Sequence, residues 1–173
     1  MNGFARLPGL LQKARTSPLQ LRLLNLLLGR VIPFNRPHGF AIERIEKDKI
    51  VTRARNRRRN HNHIRGIHAC AIATIAEFSS GLILLAKLDP ARYRLIMSGL
   101  EVDYLYQAKQ NIYATTTLDE QRLEEEILQP LQNTDTVSIS QQTLVTDQQG
   151  NLVARARITW QIKSWDKVRT RPN

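Results

Sequence analysis

The sequence predicts an α+β fold in which an antiparallel sheet of about six strands curls around one long helix. Three observations predict it. Residues 68–86 form an apolar stretch rich in alanine, serine and glycine, and it holds the best helical pattern in the chain. Beyond residue 100 the chain reads mostly as alternating strands. DQQGN, residues 147–151, is a hairpin signature built on Gly150. A sheet with one apolar face can bury a narrow helix by wrapping it.

In order along the chain, residues 5–32 read as one or two short helices, with Pro8 and Pro18 as breakers or first-turn residues. Leu19, Leu23, Leu26 and Leu27 share helical spacing, so this face is expected to pack on the body of the domain. A peripheral membrane contact through leucines flanked by arginines is the alternative. PFNRPHG, residues 33–39, is a loop by its prolines and glycine. Residues 40–60 read as two strands with a turn near 46–49. Arg53, Arg55, Arg57 and Arg59 would share one face of the second strand by period two. Such a stripe must face solvent, an acidic partner or a bound anion.

The long helix follows. Ala69, Ala71, Ala73, Ala76, Ser79, Ser80 and Gly81 keep its surface narrow, and Ile72, Ile75, Ile83 and Leu84 supply bulk. Cys70 reads as a small core residue. LDPARY, residues 88–93, ends the helix. Leu100, Val102, Tyr104 and Tyr106 alternate, as do Ile112, Ala114 and Thr116. LDEQRLEEEILQPL is expected to be a short charged helix or turn stopped by Pro130. Val137, Ile139, Gln141, Thr143 and Val145 alternate next, and Leu152, Ala154, Ala156, Ile158, Trp160 and Ile162 complete a final strand. The organisation expected is a helical segment over 1–37, a main domain over 38–165 and a basic tail over 166–173.

With 173 residues, the chain fits one domain, and a hydrophobic fraction of 42% suffices for a core. Its single cysteine excludes an intramolecular disulfide and a Cys-rich zinc site. That suits a reducing, cytoplasmic setting. His61 and His63, beside Asn60 and Asn62, read as a polar turn, and no metal site is expected. The net charge of +11 makes nucleic acid, anionic lipid or a polyanionic cofactor conceivable partners. The charge is unevenly spread, with no Asp or Glu before Glu43 and six arginines between Arg53 and Arg65. No aromatic strip accompanies these arginines, which argues against a single-strand nucleic-acid groove. Residues 19–32 are too short and too interrupted by Arg22, Asn25 and Arg30 to cross a bilayer.

One stretch carries chemistry. Asn62, His68 and Glu77 put an amide, an imidazole and an acid at offsets of six and nine residues. This run, leading directly into a small-residue helix, resembles the hot-dog fold, and within it the acyl-CoA thioesterases related to the phenylacetyl-CoA and 4-hydroxybenzoyl-CoA enzymes. Those have Asn or Gln, then His, then usually Gly-Gly, then an acid. ACAIATIAEFSSG also resembles a hot-dog branch whose members mostly lack an assigned substrate. The likeness spans roughly residues 40–162. The chain departs at Ala69-Cys70 in place of Gly-Gly, at Gly81 where a Ser or Thr is frequent, and at Arg65 where a turn glycine is expected.

The resemblance implies hydrolysis of an acyl thioester, with coenzyme A as part of the substrate and no further cofactor. It implies Glu77 as general base or nucleophile, Asn62 orienting water or thioester, and His68 fixing the turn or polarising the carbonyl. Backbone N–H groups of Ala69 and Cys70 would face the oxyanion. Arg57, Arg59, Arg65, Arg155 and Arg157 are candidates for the cofactor phosphates. Helical phase adds a constraint. Nine residues advance about 13 Å and turn about 900°, half a turn out of phase. His68 and Glu77 therefore point to opposite sides of one helix. A homodimer, or a dimer of dimers, could bring Asn62 and His68 of one chain toward Glu77 of another. A non-catalytic hot-dog protein that binds an acyl group or serves in an assembly is the other reading.

Overall fold

The computed structural model describes residues 6–168. The N-terminal part is helical, with α1 (Leu7–Ala14), α2 (Pro18–Val31) and a single turn, α3 (Asn35–His38). Ser17 caps α2 by accepting from the Gln20 N–H at 3.3 Å, and Pro18 takes a first-turn position where its missing N–H is not needed. The strands are β1 (Ala41–Ile45), β2 (Lys49–Ala54), β3 (Tyr93–Tyr104), β4 (Ile112–Thr117), β5 (Thr136–Asp147) and β6 (Leu152–Ser164). They form one antiparallel sheet in the order β1-β2-β4-β5-β6-β3. The long helix α4 (Ala69–Lys87) lies against β2 through β6, and the sheet curls around it. By length and hydropathy α4 could cross a membrane, but here it is the core helix.

Small side chains let α4 approach the sheet closely, and hydroxyls complete the seat. Ser79 Oγ lies 3.2 Å from the Ile50 carbonyl and 3.1 Å from that of Ala114, sharing its one proton between them. Thr52 donates to the Ile75 carbonyl at 3.3 Å, and Thr116 and Thr143 join hydroxyls at 2.7 Å. Trp160 Nε1 donates to Ser80 Oγ at 2.8 Å. All of these polar groups are buried and partnered, as an apolar interior requires. β5 and β6 alternate as the sequence predicts. Ile139, Val145, Ala156, Ile158 and Ile162 face inward, and Arg155 and Arg157 face out.

Five expectations need correction. The face of α2 carrying Leu19, Leu23, Leu26 and Leu27 does not pack on the domain, and Leu24 and Leu28 do. The cause is Asn25, whose side chain accepts from the Ile42 N–H at 2.7 Å and donates to the Ile42 carbonyl at 2.9 Å. That pair fixes the rotation of α2 and occupies the free-edge groups of Ile42 in β1. β2 stops at Ala54, so only Arg53 of the supposed arginine stripe lies on the strand, paired with Glu43 at 3.0 Å. Cys70 is exposed, because the buried stripe of α4 runs through Ala71, Ile72, Ile75 and Ala76 instead. Residues 93–99, unassigned from the sequence, open β3, and Tyr106 lies beyond its end. Pro130 does not stop its helix. α5 (Glu120–Leu123), a π turn (Glu124–Leu128) and α6 (Gln129–Asn133) run end to end, and Gln129 N–H bonds to Glu124 O, five residues back. The wider turn just ahead of Pro130 relieves the helix of the four-back pattern that proline breaks.

Asn25→Ala removes both edge bonds while leaving Leu24 and Leu28 in place. We expect a loss of about 1–3 kcal/mol in urea unfolding; an unchanged midpoint would show that the edge cap contributes nothing.

Candidate functional site

The turn before α4 is built by backbone-directed side chains. Asn60, buried, donates to the carbonyls of Arg55 at 2.9 Å and His38 at 3.1 Å. Asn62 Oδ1 accepts from the N–H groups of Ile64 at 3.1 Å and Gly66 at 3.0 Å. The Asn62 oxygen is thus committed to the turn, and its NH2 group is left to donate outward. Arg65 has φ 61°, the left-handed region. The expected glycine position is therefore real, and an arginine holds it. Gly66 lies close under the 107–108 segment, where an added Cβ would sit 3.2 Å from the Ala108 carbonyl oxygen.

His68 is the N-cap of α4. Its Nδ1 accepts from the Cys70 N–H at 3.0 Å, which puts the ring proton of the neutral imidazole on Nε2. This fixes the helix start and engages one of the two N–H groups expected to face an oxyanion. The Ala69 N–H has no partner among the described residues. Tyr104 donates from its hydroxyl to the Ala69 carbonyl at 3.0 Å and pins the helix start to the end of β3. Asn62, Ala69, Ile72, Tyr104 and Tyr106 line a shallow cavity of about 320 Å³.

Glu77 lies elsewhere. It opens into a largely apolar cavity of about 460 Å³ with Phe34, Phe78, Leu85, Arg94 and Trp160 among its walls. No residue lines both cavities. The half-turn of helical phase is thus visible as two separate spaces. Burial pushes the Glu77 carboxyl above the ordinary glutamate range. A cavity of similar size near Asn133 and Lys167 is walled mostly by polar residues and contains none of the candidate site residues.

Gly81 explains one departure from the thioesterase pattern. A Cβ there would lie 3.1 Å from the Trp160 ring and 3.9 Å from Glu77 Oε1. The indole occupies the space that a Ser or Thr side chain would need. Ser80, next along, is turned inward as the acceptor for that indole.

The five candidate arginines are dispersed. Arg57 folds over Gly39 and donates to the Pro37 carbonyl at 3.2 Å; burial, then Arg59 and Arg55, pulls its pKa down. Arg155 and Arg157 stand on the outer face of the sheet, and Arg157 meets Glu101 at 3.4 Å. Arg59 and Arg65 are exposed on either side of Asn62 in the chain. The sequence reading missed Arg94, Tyr104, Phe34 and Trp160. Tyr104 and Trp160 were legible as strand residues but not as neighbours of α4. Arg94 and Phe34 carried no signal, since only the closed fold brings them to Glu77.

One sheet of six strands wrapped on one helix, with a polar turn at the helix start, defines a thioesterase-like protein of the hot-dog superfamily, its function unassigned. The chain belongs to the family described as a domain of unknown function, DUF4442, whose model matches residues 21–162. A protein of unknown function from Pseudomonas aeruginosa, named a probable thioesterase, has 26% identity and a TM-score of 0.74, over 83% of this chain and 95% of that one. A protein of unknown function from Chlorobaculum tepidum is similar at 15% identity and TM-score 0.72, over 87% and 98%. A Haemophilus influenzae thioesterase follows at 15% and 0.64, over 83% and 90%. At that identity the last two show the fold alone. No curated protein matches the sequence.

Two stability measurements follow. The raised Glu77 pKa favours the folded state while the carboxyl is protonated, and this advantage is lost as pH rises through the folded pKa. Glu77→Gln should therefore melt higher than the parent at neutral pH, with the gap closing on acidification below the ordinary glutamate range. A gap that does not vary with pH would contradict the burial of Glu77. Arg65→Gly should gain about 1 kcal/mol by removing the left-handed strain; a loss in thermal unfolding would mean that the Arg65 side chain matters more than its backbone.

Proposed function

We propose that this protein hydrolyses an acyl thioester of coenzyme A at a site completed by a second copy of the chain. The observation that carries the reading is Glu77, a half-buried carboxylate with a raised pKa at the wall of an apolar cavity large enough for an acyl group. Glu77 takes a proton from water as the water oxygen bonds to the thioester carbonyl carbon. Negative charge gathers on the carbonyl oxygen, where the Ala69 N–H at the start of α4 can donate. The carbon–sulfur bond then breaks, and the proton passes from Glu77 to the departing thiolate. The Asn62 NH2 group has no partner among the described residues and can orient water or thioester. Arg59 and Arg65, exposed near Asn62, are the cations best placed for phosphates.

β3 supports the dimer. It is an edge strand of 12 residues with no side-chain cap like that of Asn25 on β1 among the described residues. Tyr93, Arg94 and Leu95 at its start line the Glu77 cavity, and Tyr104 at its end lines the Asn62 cavity. Two copies of β3 paired antiparallel about its middle would lay the start of one along the end of the other. Glu77 of one chain would then approach Asn62 of the second. A reading as an acyl binder without turnover draws on the Cys70 N–H, which His68 already engages.

Release of thiol from a panel of acyl-CoAs tests the proposal. Turnover is expected for some member, falling by about 10²-fold or more in Glu77→Ala. The rate should rise with pH as Glu77 ionises, with an inflection above the ordinary glutamate range. A panel without turnover, or Glu77→Ala at full rate, would sink it.

A further inference from the structure

We infer that the outer face of α2 rests on an anionic membrane surface and sets the mouth of the Glu77 cavity at the acyl boundary of that bilayer. Leu19, Leu23 and Leu26 are 63%, 51% and 60% exposed. Asn25 turns this face away from the domain, and no described residue covers it. Arg22 and Arg30 project on the same side of the helix, exposed and without an ion pair among the described residues. The apolar strip does not end with α2. Val31 follows at 38% and Phe34 at 65%, and Phe34 is itself a wall of the cavity that holds Glu77. An exposed strip of leucines thus leads along α2 to the opening of an apolar cavity.

Charge decides the occupant. Arginines set among leucines suit a bilayer, where guanidiniums stay with headgroups while leucines enter the acyl boundary. The residues before Glu43 contain no carboxylate, so the field over this face is positive and matches anionic headgroups. A second copy of α2 fits poorly. A two-fold contact would set arginine toward arginine, and neither α2 offers an acid to pair with them. The contact itself does not depend on the thioesterase reading. The claim that acyl chains enter beside Glu77 from the membrane side rests on that reading.

The test uses the full chain with two kinds of vesicle, phosphatidylcholine alone and phosphatidylcholine with about one-third phosphatidylglycerol. Co-flotation is expected only with the anionic vesicles, weakening as salt is raised. The triple variant Leu19→Gln, Leu23→Gln, Leu26→Gln should lose about tenfold or more of the partitioning, and Arg22→Gln with Arg30→Gln should flatten the salt dependence. These five positions are exposed, so each variant should keep the parent melting temperature. The chain's two tryptophans, Trp160 and Trp165, both line the cavity. Brominated acyl chains in the anionic vesicles should therefore quench its fluorescence. Absence of flotation at low salt, or the triple variant binding as the parent does, overturns the contact. So does a parent oligomer that the triple variant dissociates, which would make the face a contact between copies. Flotation without quenching overturns the placement of the mouth. Each of these readouts is independent of turnover, so a failure here is distinct from a failure to hydrolyse acyl-CoA.

Discussion

The structure depends on how closely α4 sits on its sheet. A helix of leucines would stand off by the length of its side chains. Here Ala76, Ser79 and Ser80 bring the helix backbone near the strands, and five hydroxyls turn that proximity into hydrogen bonds. Such bonds contribute little net energy each, but leaving any of these groups buried and unpaired would be costly. The seat therefore sets register as well as packing. A rotation of α4 by one residue would bury Glu77 or Cys70 against the sheet and release Ser79 from both carbonyls.

Once that face is fixed, the opposite face is fixed too. Cys70, Thr74, Glu77 and Gly81 fall together on the side of α4 opposite Ser79, a spacing of four, three and four. Thr74, Glu77 and Gly81 all line the large cavity, and the Trp160 ring closes over Gly81. The carboxylate is thus held on a rigid element beside apolar walls, and its pKa rises because water is partly excluded from it. The helix start is a different environment. It is exposed, capped by its own histidine and tied to β3 by Tyr104.

Much of this was legible in the sequence, and the reasons for the rest are physical. The alternation of β5 and β6 survives because one face of each strand is buried along its whole length. The long helix was legible because apolar and small residues repeat over five turns. The left-handed residue at 65 was foreshadowed by the displaced glycine beside it. The rotation of α2 was not legible. Four leucines at helical spacing outvoted one asparagine, yet the asparagine reaches a strand edge and the leucines do not. The arginine stripe failed for the reverse reason. Period two continued past Ala54 in the sequence, but Asn56 and Asn60 find turn partners in Lys109, Asn111 and His38, and these draw the chain out of the sheet. The dispersal of the arginines follows from that exit.

The two edges of the sheet show why the site and the assembly are one question. At β1 the free-edge N–H and C=O of Ile42 are taken by Asn25, which obstructs pairing with another strand there. β3 has no neighbouring strand on its outer edge among the described residues, and Ile96 and Met97 are exposed at 45% and 41%. Bare edges of this length invite pairing, and a strand that pairs with its own copy does so about a two-fold axis. β3 also forms part of the wall of both cavities, one at each end. An antiparallel copy paired along β3 would join the carboxylate side of one molecule to the amide side of the other. The helical phase separates Asn62 from Glu77 within a subunit, and the edge strand would reunite them between subunits. α4 can carry Glu77 outward only because its inner face is given wholly to the sheet.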